Sequence, residues 1–355
     1  MTRSRLVTAL LWPLGVALAV VLAAGTAEGQ TEWTKYAGNP VLERGAPGEW
    51  DAGLVDHSDV LFDGVTYHMW YAGGLVVHET DIGYATSTDG VTWNKWPTPV
   101  LLRGAPGEWD FGSLQPGAVI WDGALFHMWY GAGAVPGGAG TWHTGYATSP
   151  DGVTWTKHPD NPVLRAGDPG SWDSLDALIT AVIDDGGTYR AWYWGFVTLN
   201  WISIGYATSP DGVAWTKYAG NPVFWPRTRG WDRNMIAFPM VVQDGVVYRM
   251  WYSGGPGVCN AMGHAVSADG INWARQPLWE PVLPRGLPGE WDRACIFSPR
   301  VVLEGDTAHM WYNGINNQDV FAIGCATAPL PFPGAWVFAD DFESGDTSTW
   351  SARVP

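Results

Sequence analysis

The chain has 355 residues, of which 15% are charged, with 46 Gly, 26 Pro, 25 Trp and a formal net charge of -16. That acidity excludes a nucleic-acid partner, because a phosphate backbone needs a basic surface. The Gly and Pro content points to short strands and tight turns with little helix, and the length suits one large domain.

Arg3 and Arg5 precede an apolar run from Leu6 to Ala24, and small residues then lead to a polar start near Gln30. This order predicts a secretory signal peptide over residues 1–29, hence a secreted or periplasmic protein with no membrane association after its removal. From residue 30 to 336 the chain is periodic. Trp-Asp returns at Trp50-Asp51, Trp109-Asp110, Trp172-Asp173, Trp231-Asp232 and Trp291-Asp292, in steps of 59, 63, 59 and 60 residues. A second Trp follows 20 residues after the first in every copy, at Trp70, Trp129, Trp192, Trp251 and Trp311. A long fixed period marks stacked supersecondary units, none of which can bury its apolar face alone, and a period near 60 is too long for a WD40 repeat.

Within the second copy, Ala118–Trp121 reads as a strand, Asp122-Gly123 as a hairpin turn, and Leu125–Tyr130 as an aromatic-rich strand. Thr144–Ser149 follows as a third strand, Pro150-Asp151-Gly152 as a turn, and Thr154–Lys157 begins a fourth. Four antiparallel strands repeated radially describe a propeller blade. The last copy lacks its fourth strand, whereas Trp33–Leu42 at the other end matches Trp215–Phe224 closely. The expected fold is therefore all-β, a five-bladed β-propeller closed by the N-terminal strand in the last blade, which removes exposed sheet edges; a monomer is expected. The Trp of each Trp-Asp pair is assigned to packing between blades, and the Asp to turn hydrogen bonds.

The loops at one face repeat nearly unchanged while those at the other vary, which places binding on the variable face. There, the residues leading into the inner strands depart from one another. They read Leu54-Val55-Asp56-His57-Ser58-Asp59, Ser113-Leu114-Gln115-Pro116-Gly117-Ala118 and Asp176-Ala177-Leu178-Ile179-Thr180-Ala181 in the first three copies. The last two read Met235-Ile236-Ala237-Phe238-Pro239-Met240 and Cys295-Ile296-Phe297-Ser298-Pro299-Arg300. Asp56, His57, Asp59, Asp176 and Arg300 are polar where siblings are mostly apolar, and such groups belong in a packed strand only when paired or solvated. Asp56, Asp59 and Asp176 are the catalytic candidates; Asp59 and Arg300 could equally form a structural ion pair across the seam between the first and last blades. Candidate substrate contacts are His57, Gln115 and Arg300, with Glu79, Trp142, His143, Asn260 and Asn316 from the loops between second and third strands, where His78 and Asn200 also lie. Aromatics beside amides and carboxylates suit a carbohydrate substrate or ligand. No metal-ligand spacing stands out and no cofactor is expected.

The phrases Ile204-Gly205-Tyr206-Ala207-Thr208-Ser209-Pro210-Asp211-Gly212 with Trp215, and Asn221-Pro222-Val223, resemble the five-bladed β-propeller glycosidase superfamily of glycoside hydrolase families 43, 32, 68, 117 and 130. The resemblance covers about Trp33 to Thr327. It implies glycoside hydrolysis, with Asp56 or Asp59 as base or nucleophile and Asp176 as a second acidic group. No Glu stands at the lead-in of the third or fourth blade, where the family often carries its acid; Glu79, His57 or His143 would then substitute. The turns Ser149–Trp155, Ser209–Trp215 and Ser267–Trp273 resemble the Asp-box of sialidases, one residue short, and serve folding there. The alternative reading is a non-catalytic propeller that binds carbohydrate or protein on the same face. Of three cysteines, Cys325 is expected to be buried and inert, while Cys259 and Cys295 are compatible with a disulfide or with two free thiols. Residues 337–355 read as a flexible acidic tail.

Overall fold

The computed structural model describes residues 33–77, 79–133, 140–198, 201–257, 260–330 and 332. The signal segment, the tail, His78, Asn200 and Cys259 lie outside the described residues. Among the described residues there is no α-helix. A short leading strand, β1 (Thr34–Lys35), precedes a first antiparallel meander of β2 (Leu54–Phe62), β3 (Tyr67–Val76), β4 (Glu79–Ser87) and β5 (Asn94–Lys95). The second is β6 (Ser113–Trp121), β7 (Phe126–Gly133), β8 (Trp142–Ser149) and β9 (Thr156–Lys157); the third is β10 (Leu178–Asp184), β11 (Tyr189–Thr198), β12 (Trp201–Ser209) and β13 (Thr216–Lys217). The fourth comprises β14 (Met235–Asp244), β15 (Val247–Gly255), β16 (Ala261–Ser267) and β17 (Ala274–Arg275), with β18 (Leu283–Pro284) also against β16. β19 (Cys295–Glu304), β20 (Thr307–Ile315) and β21 (Phe321–Pro329) make the fifth, and β1 pairs antiparallel with β21, Thr34 opposite Thr327. The result is an all-β, propeller-like arrangement. β6 begins five residues before the expected Ala118, because Pro116 and Gly117 sit in a bulge and do not end the strand.

The first strands pack in sequence: β2 on β6, β6 on β10, β10 on β14, β14 on β19, and β19 on β2. Between meanders the core is aromatic. Trp70, Trp129, Trp192, Trp251 and Trp311 are fully buried. Four of them donate the indole N–H to a turn carbonyl of the next unit: Trp70 to Gly152 at 2.8 Å, Trp129 to Gly212 at 2.7 Å, Trp192 to Gly270 at 2.7 Å and Trp311 to Gly90 at 2.8 Å. These turns need glycine twice over, since φ lies between 73° and 77° and a Cβ would sit 2.8–3.0 Å from the indole. In each turn a Ser hydroxyl and an Asp carboxylate collect the backbone N–H groups, Ser149 and Asp151 in the second meander for example. The turn's own Trp meets the buried one edge-on, Trp155 against Trp70 at 6.0 Å and Trp93 against Trp311 at 6.1 Å. Trp33, just before β1, does the same to Trp251 at 6.1 Å.

The Trp-Asp pairs differ from the expectation in one half. Each Trp lies against the Tyr of its own meander, Trp50 on Tyr71 at 5.8 Å and Trp291 on Tyr312 at 5.8 Å, and is packed on a core cluster shared by two meanders; the departure lies in the Asp. Each Asp, buried, accepts from that Tyr hydroxyl and from a cation of a fourth strand: Tyr71 and Lys95 on Asp51, Tyr193 and Lys217 on Asp173. The fifth copy takes its cation from β1, Lys35 Nζ lying 2.7 Å from Asp292. A buried carboxylate requires such partners, which a turn alone would not supply. Lys35→Met is therefore expected to lower unfolding free energy by about 1–3 kcal/mol, measured by urea denaturation; a loss indistinguishable from zero would mean that the Lys35–Asp292 pair contributes nothing to the fold.

Cys325 is free and buried, as expected, and burial pushes its thiol up to about 12. Cys295 is disulfide-bonded.

Candidate functional site

Every inner strand breaks register at one level. Pairing skips His57 in β2, Gly117 in β6, Thr180 in β10, Phe238-Pro239 in β14 and Ser298-Pro299 in β19. Such bulges re-aim side chains and leave backbone groups unpaired. Three of the skipped residues hold positive φ without being glycine, His57 at 34°, Phe238 at 54° and Ser298 at 54°; each costs about 1–3 kcal/mol and tends to mark a functional site. Gly117 has no alternative, because a Cβ there would lie 2.1 Å from the Ile179 carbonyl oxygen.

Below the bulges the centre is filled by charge. Arg300 Nε is 3.0 Å from Asp59 Oδ1, an angled approach that is electrostatic more than a straight hydrogen bond. The guanidinium also donates to the Gly117 carbonyl at 3.1 Å and the Pro299 carbonyl at 2.9 Å, the backbone acceptors that the bulges leave over. Asp59 Oδ2 accepts from Val119 N at 2.6 Å. Burial pushes the Asp59 carboxyl up and Arg300 pulls it back only in part, while burial likewise lowers Arg300. Desolvation thus offsets much of the attraction.

One level up, Asp56 is opposite Ala72, Gln115 opposite Gly131, Leu178 opposite Trp194, Ala237 opposite Ser253 and Phe297 opposite Asn313. Asp56 Oδ1 accepts from His57 N at 2.8 Å and Asn313 Nδ2 at 2.9 Å, and Oδ2 is 2.9 Å from His57 Nδ1. The His57 ring meets Phe238 at 5.1 Å and Phe297 at 5.3 Å. Both rings belong to a buried cluster with Trp142, Leu178, Trp194 and Phe196.

Asp176 stands two residues ahead of Leu178, roughly 7 Å further along the strand direction than the Asp56 level. Its carboxylate accepts from Trp142 N at 3.2 Å. Burial pushes it up to about 7, with that one N–H pulling the other way. Trp142 thereby joins Asp176 to the aromatic cluster whose far side touches His57.

The remaining candidates are engaged locally. Glu79, with Asp81, pairs with Arg103 at the linker between the first two meanders. His143 Nδ1 accepts from Ala166 N at 3.0 Å, and burial with the nearby Arg165 and Lys217 lowers its pKa. Asn316 Oδ1 caps its own turn through the N–H groups of Gln318 and Val320. Gln115 is half-buried on the Asp56 level, and Asn260 is half-buried beside Gly255. Asn313 and Trp194 join the site from second strands, which the differences among first strands do not reveal. The signal exists in the second strands, where Trp-Tyr is followed by Ala72, Gly131, Trp194, Ser253 and Asn313. Among the described residues no group of three or more His, Cys, Asp or Glu side chains is arranged to hold a metal ion.

The fold is shared with solved structures described as glycoside hydrolases. A solved structure described as a BT0996 RGII complex matches with a TM-score of 0.67 at 20% identity, covering 87% of this protein and 95% of that one. A structure from work on the GH130 family of mannoside phosphorylases, said to contain glycoside hydrolases that target β-1,2 mannosidic linkages in Candida mannan, matches with a TM-score of 0.65 at 18% identity, over 86% and 98%. An N-acetylgalactosamine deacetylase from F. plautii, in complex with blood group B trisaccharide, has a TM-score of 0.59 at 16% identity, over 84% and 94%. The chain belongs to the family of two Mycobacterium tuberculosis proteins, Uncharacterized protein Rv1502 of strain H37Rv and Uncharacterized protein MT1551 of strain CDC 1551. It is 32% identical to each over 224 residues, 61% of this chain and 72% of theirs. No family profile matches the chain.

Proposed function

We propose that the protein is a secreted five-bladed propeller that hydrolyses glycosidic bonds of an oligo- or polysaccharide at the mouth of its axis. Closure into a ring is supported by the cyclic packing of the first strands and by β1, whose Lys35 and Trp33 repeat at the last meander the contacts made elsewhere. Export is supported by the sequence of residues 1–29. A carbohydrate substrate is consistent with the neighbours described as glycoside hydrolases and with the RGII and trisaccharide complexes.

The observation that carries the reading is a buried acid and a hydrogen-bonded carboxylate on one aromatic cluster. Burial pushes the Asp176 carboxyl up to about 7, toward the range a general acid for the leaving glycosidic oxygen needs. The Asp56 end supplies the base. Asp59, neutralised by Arg300 in the packed centre, is assigned to the scaffold. Among the described residues no second carboxylate stands at the level of Asp56, and this favours the alternative, a propeller that binds saccharide without cleaving it.

The test is release of reducing ends from a panel of plant, fungal and bacterial glycans, with wild type beside Asp56→Asn and Asp176→Asn. The expected result is cleavage of at least one glycan by wild type and loss in both variants. Saturable binding with no cleavage by wild type would establish the binder.

A further inference from the structure

His57 has no part in a two-carboxylate mechanism, yet both its backbone and its ring are held in a defined position. It occupies a bulge with positive φ, where the second meander uses Gly117. Its ring is fixed edge-on between Phe238 and Phe297. Phe238 is itself a strained bulge residue, and Phe297 directly precedes another, Ser298.

We propose that His57 Nε2 is the atom that takes the proton at the axial mouth, and that Asp56 is the positioning residue that orients it. This rests on the glycoside-cleaving reading above. With Asp56 Oδ2 2.9 Å away, a proton on Nδ1 is attracted to the carboxylate, whereas a lone pair there would be repelled. The approach is angled, since the residues are chain neighbours, so the coupling is electrostatic. Asp56 cannot turn away, because His57 N and Asn313 Nδ2 both hold its other oxygen. The neutral ring then carries its proton on Nδ1 and a lone pair on Nε2.

Nε2 is buried and meets no protein partner. A buried acceptor is seldom left so unless a ligand or water completes it. His57 Nδ1, whose approach to Asp56 is too angled for a hydrogen bond, is likewise unpartnered, and so are Asn313 Oδ1, Ser298 Oγ and Trp194 Nε1 on strands around it. Asn313 holds Asp56, Ser298 follows Phe297, and Trp194 packs on Phe238 at 4.9 Å. These residues adjoin one another through the Asp56–Asn313 bond and the His57, Phe238, Phe297 and Trp194 rings, and unmet buried polar atoms on neighbouring residues call for a ligand or water to complete them.

The step balances as a single displacement. An O–H bond of the attacking water breaks, its proton goes to His57 Nε2, and its oxygen bonds to the anomeric carbon. The glycosidic C–O bond breaks at the same carbon, and the leaving oxygen takes the proton of Asp176. The imidazolium, facing Asp56, returns its proton to solvent, and Asp176 regains one.

The first test reads the ring directly. Long-range 1H–15N correlation on histidine-labelled protein at pH 8, with His57 assigned through contacts to the Phe238 and Phe297 rings, is expected to show the Nδ1–H form, and Asp56→Asn to shift it toward Nε2–H. A wild-type Nε2–H form overturns the proposal. The second test is kinetic, on a glycan that wild type cleaves. His57→Gln should lower kcat about 100-fold or more with KM changed under threefold, and added imidazole should restore part of it. Full activity of His57→Gln, with Asp176→Asn inactive, overturns this proposal alone. No cleavage by wild type overturns the proton transfer together with the glycosidase reading.

Discussion

Asp176→Asn should lower turnover of a cleaved glycan by about 100- to 10,000-fold, the usual contribution of a positioned acid, while making the fold more stable above neutral pH. Both effects come from one environment. The carboxyl is pushed from an ordinary 3.8 up to about 7 by burial. Its unfolded form ionises near the ordinary value, so its contribution to stability is fully present below about pH 4. That contribution is lost progressively as pH rises to about 7, where the folded form ionises too, at a rate of about 1.4 kcal/mol for each step of one in pH. Asparagine can accept from Trp142 N without a charge to desolvate. The variant's Tm should therefore gain on wild type between pH 4 and 7 and hold the gain at pH 8, as scanning calorimetry would show. The activity of wild type should decline above about pH 7 as the acid loses its proton. Equal Tm values for the two proteins at pH 8 would mean that Asp176 is not buried as described, and with it the acid assignment would fail.

Arg300→Ala should destabilise the fold by about 3–5 kcal/mol, the cost of leaving one member of a buried pair. The loss combines an uncompensated Asp59 with two bulge carbonyls, of Gly117 and Pro299, that no longer have a donor. Asp59 can escape by taking a proton, which is easier at low pH. Urea denaturation should therefore show a smaller loss at pH 5 than at pH 8, and Asp59→Asn/Arg300→Met should recover part of the deficit. A loss below about 1 kcal/mol at pH 8 would show that the central pair is dispensable.

The neighbours illustrate why the fold leaves the chemistry open. Proteins described as a glycoside hydrolase and as a deacetylase share it at 19% and 16% identity. The scaffold is set by the repeated Trp, Tyr and Asp-Gly positions, while the chemistry depends on a few residues where the copies differ.

Those differences also explain what the sequence by itself determined. Period, strand order and the match of Trp33–Leu42 to Trp215–Phe224 follow from hydrophobic spacing and turn chemistry, which are local and repeat five times. Asp56, His57, Asp59, Asp176 and Arg300 could be picked out because each breaks its own repeat. Only the tertiary structure decided their company. It joined Asp59 to Arg300 and Gly117 from three meanders, drew Glu79 to Arg103 and His143 to Ala166, and brought Asn313 onto Asp56, 257 residues away in sequence. It also turned the Asp of each Trp-Asp pair from an expected turn residue into the buried partner of a Tyr and a cation. The physical reason is that a repeat specifies which residues occupy equivalent positions, but hydrogen bonds and charge pairs form across seams, between copies whose relative rotation no single copy encodes.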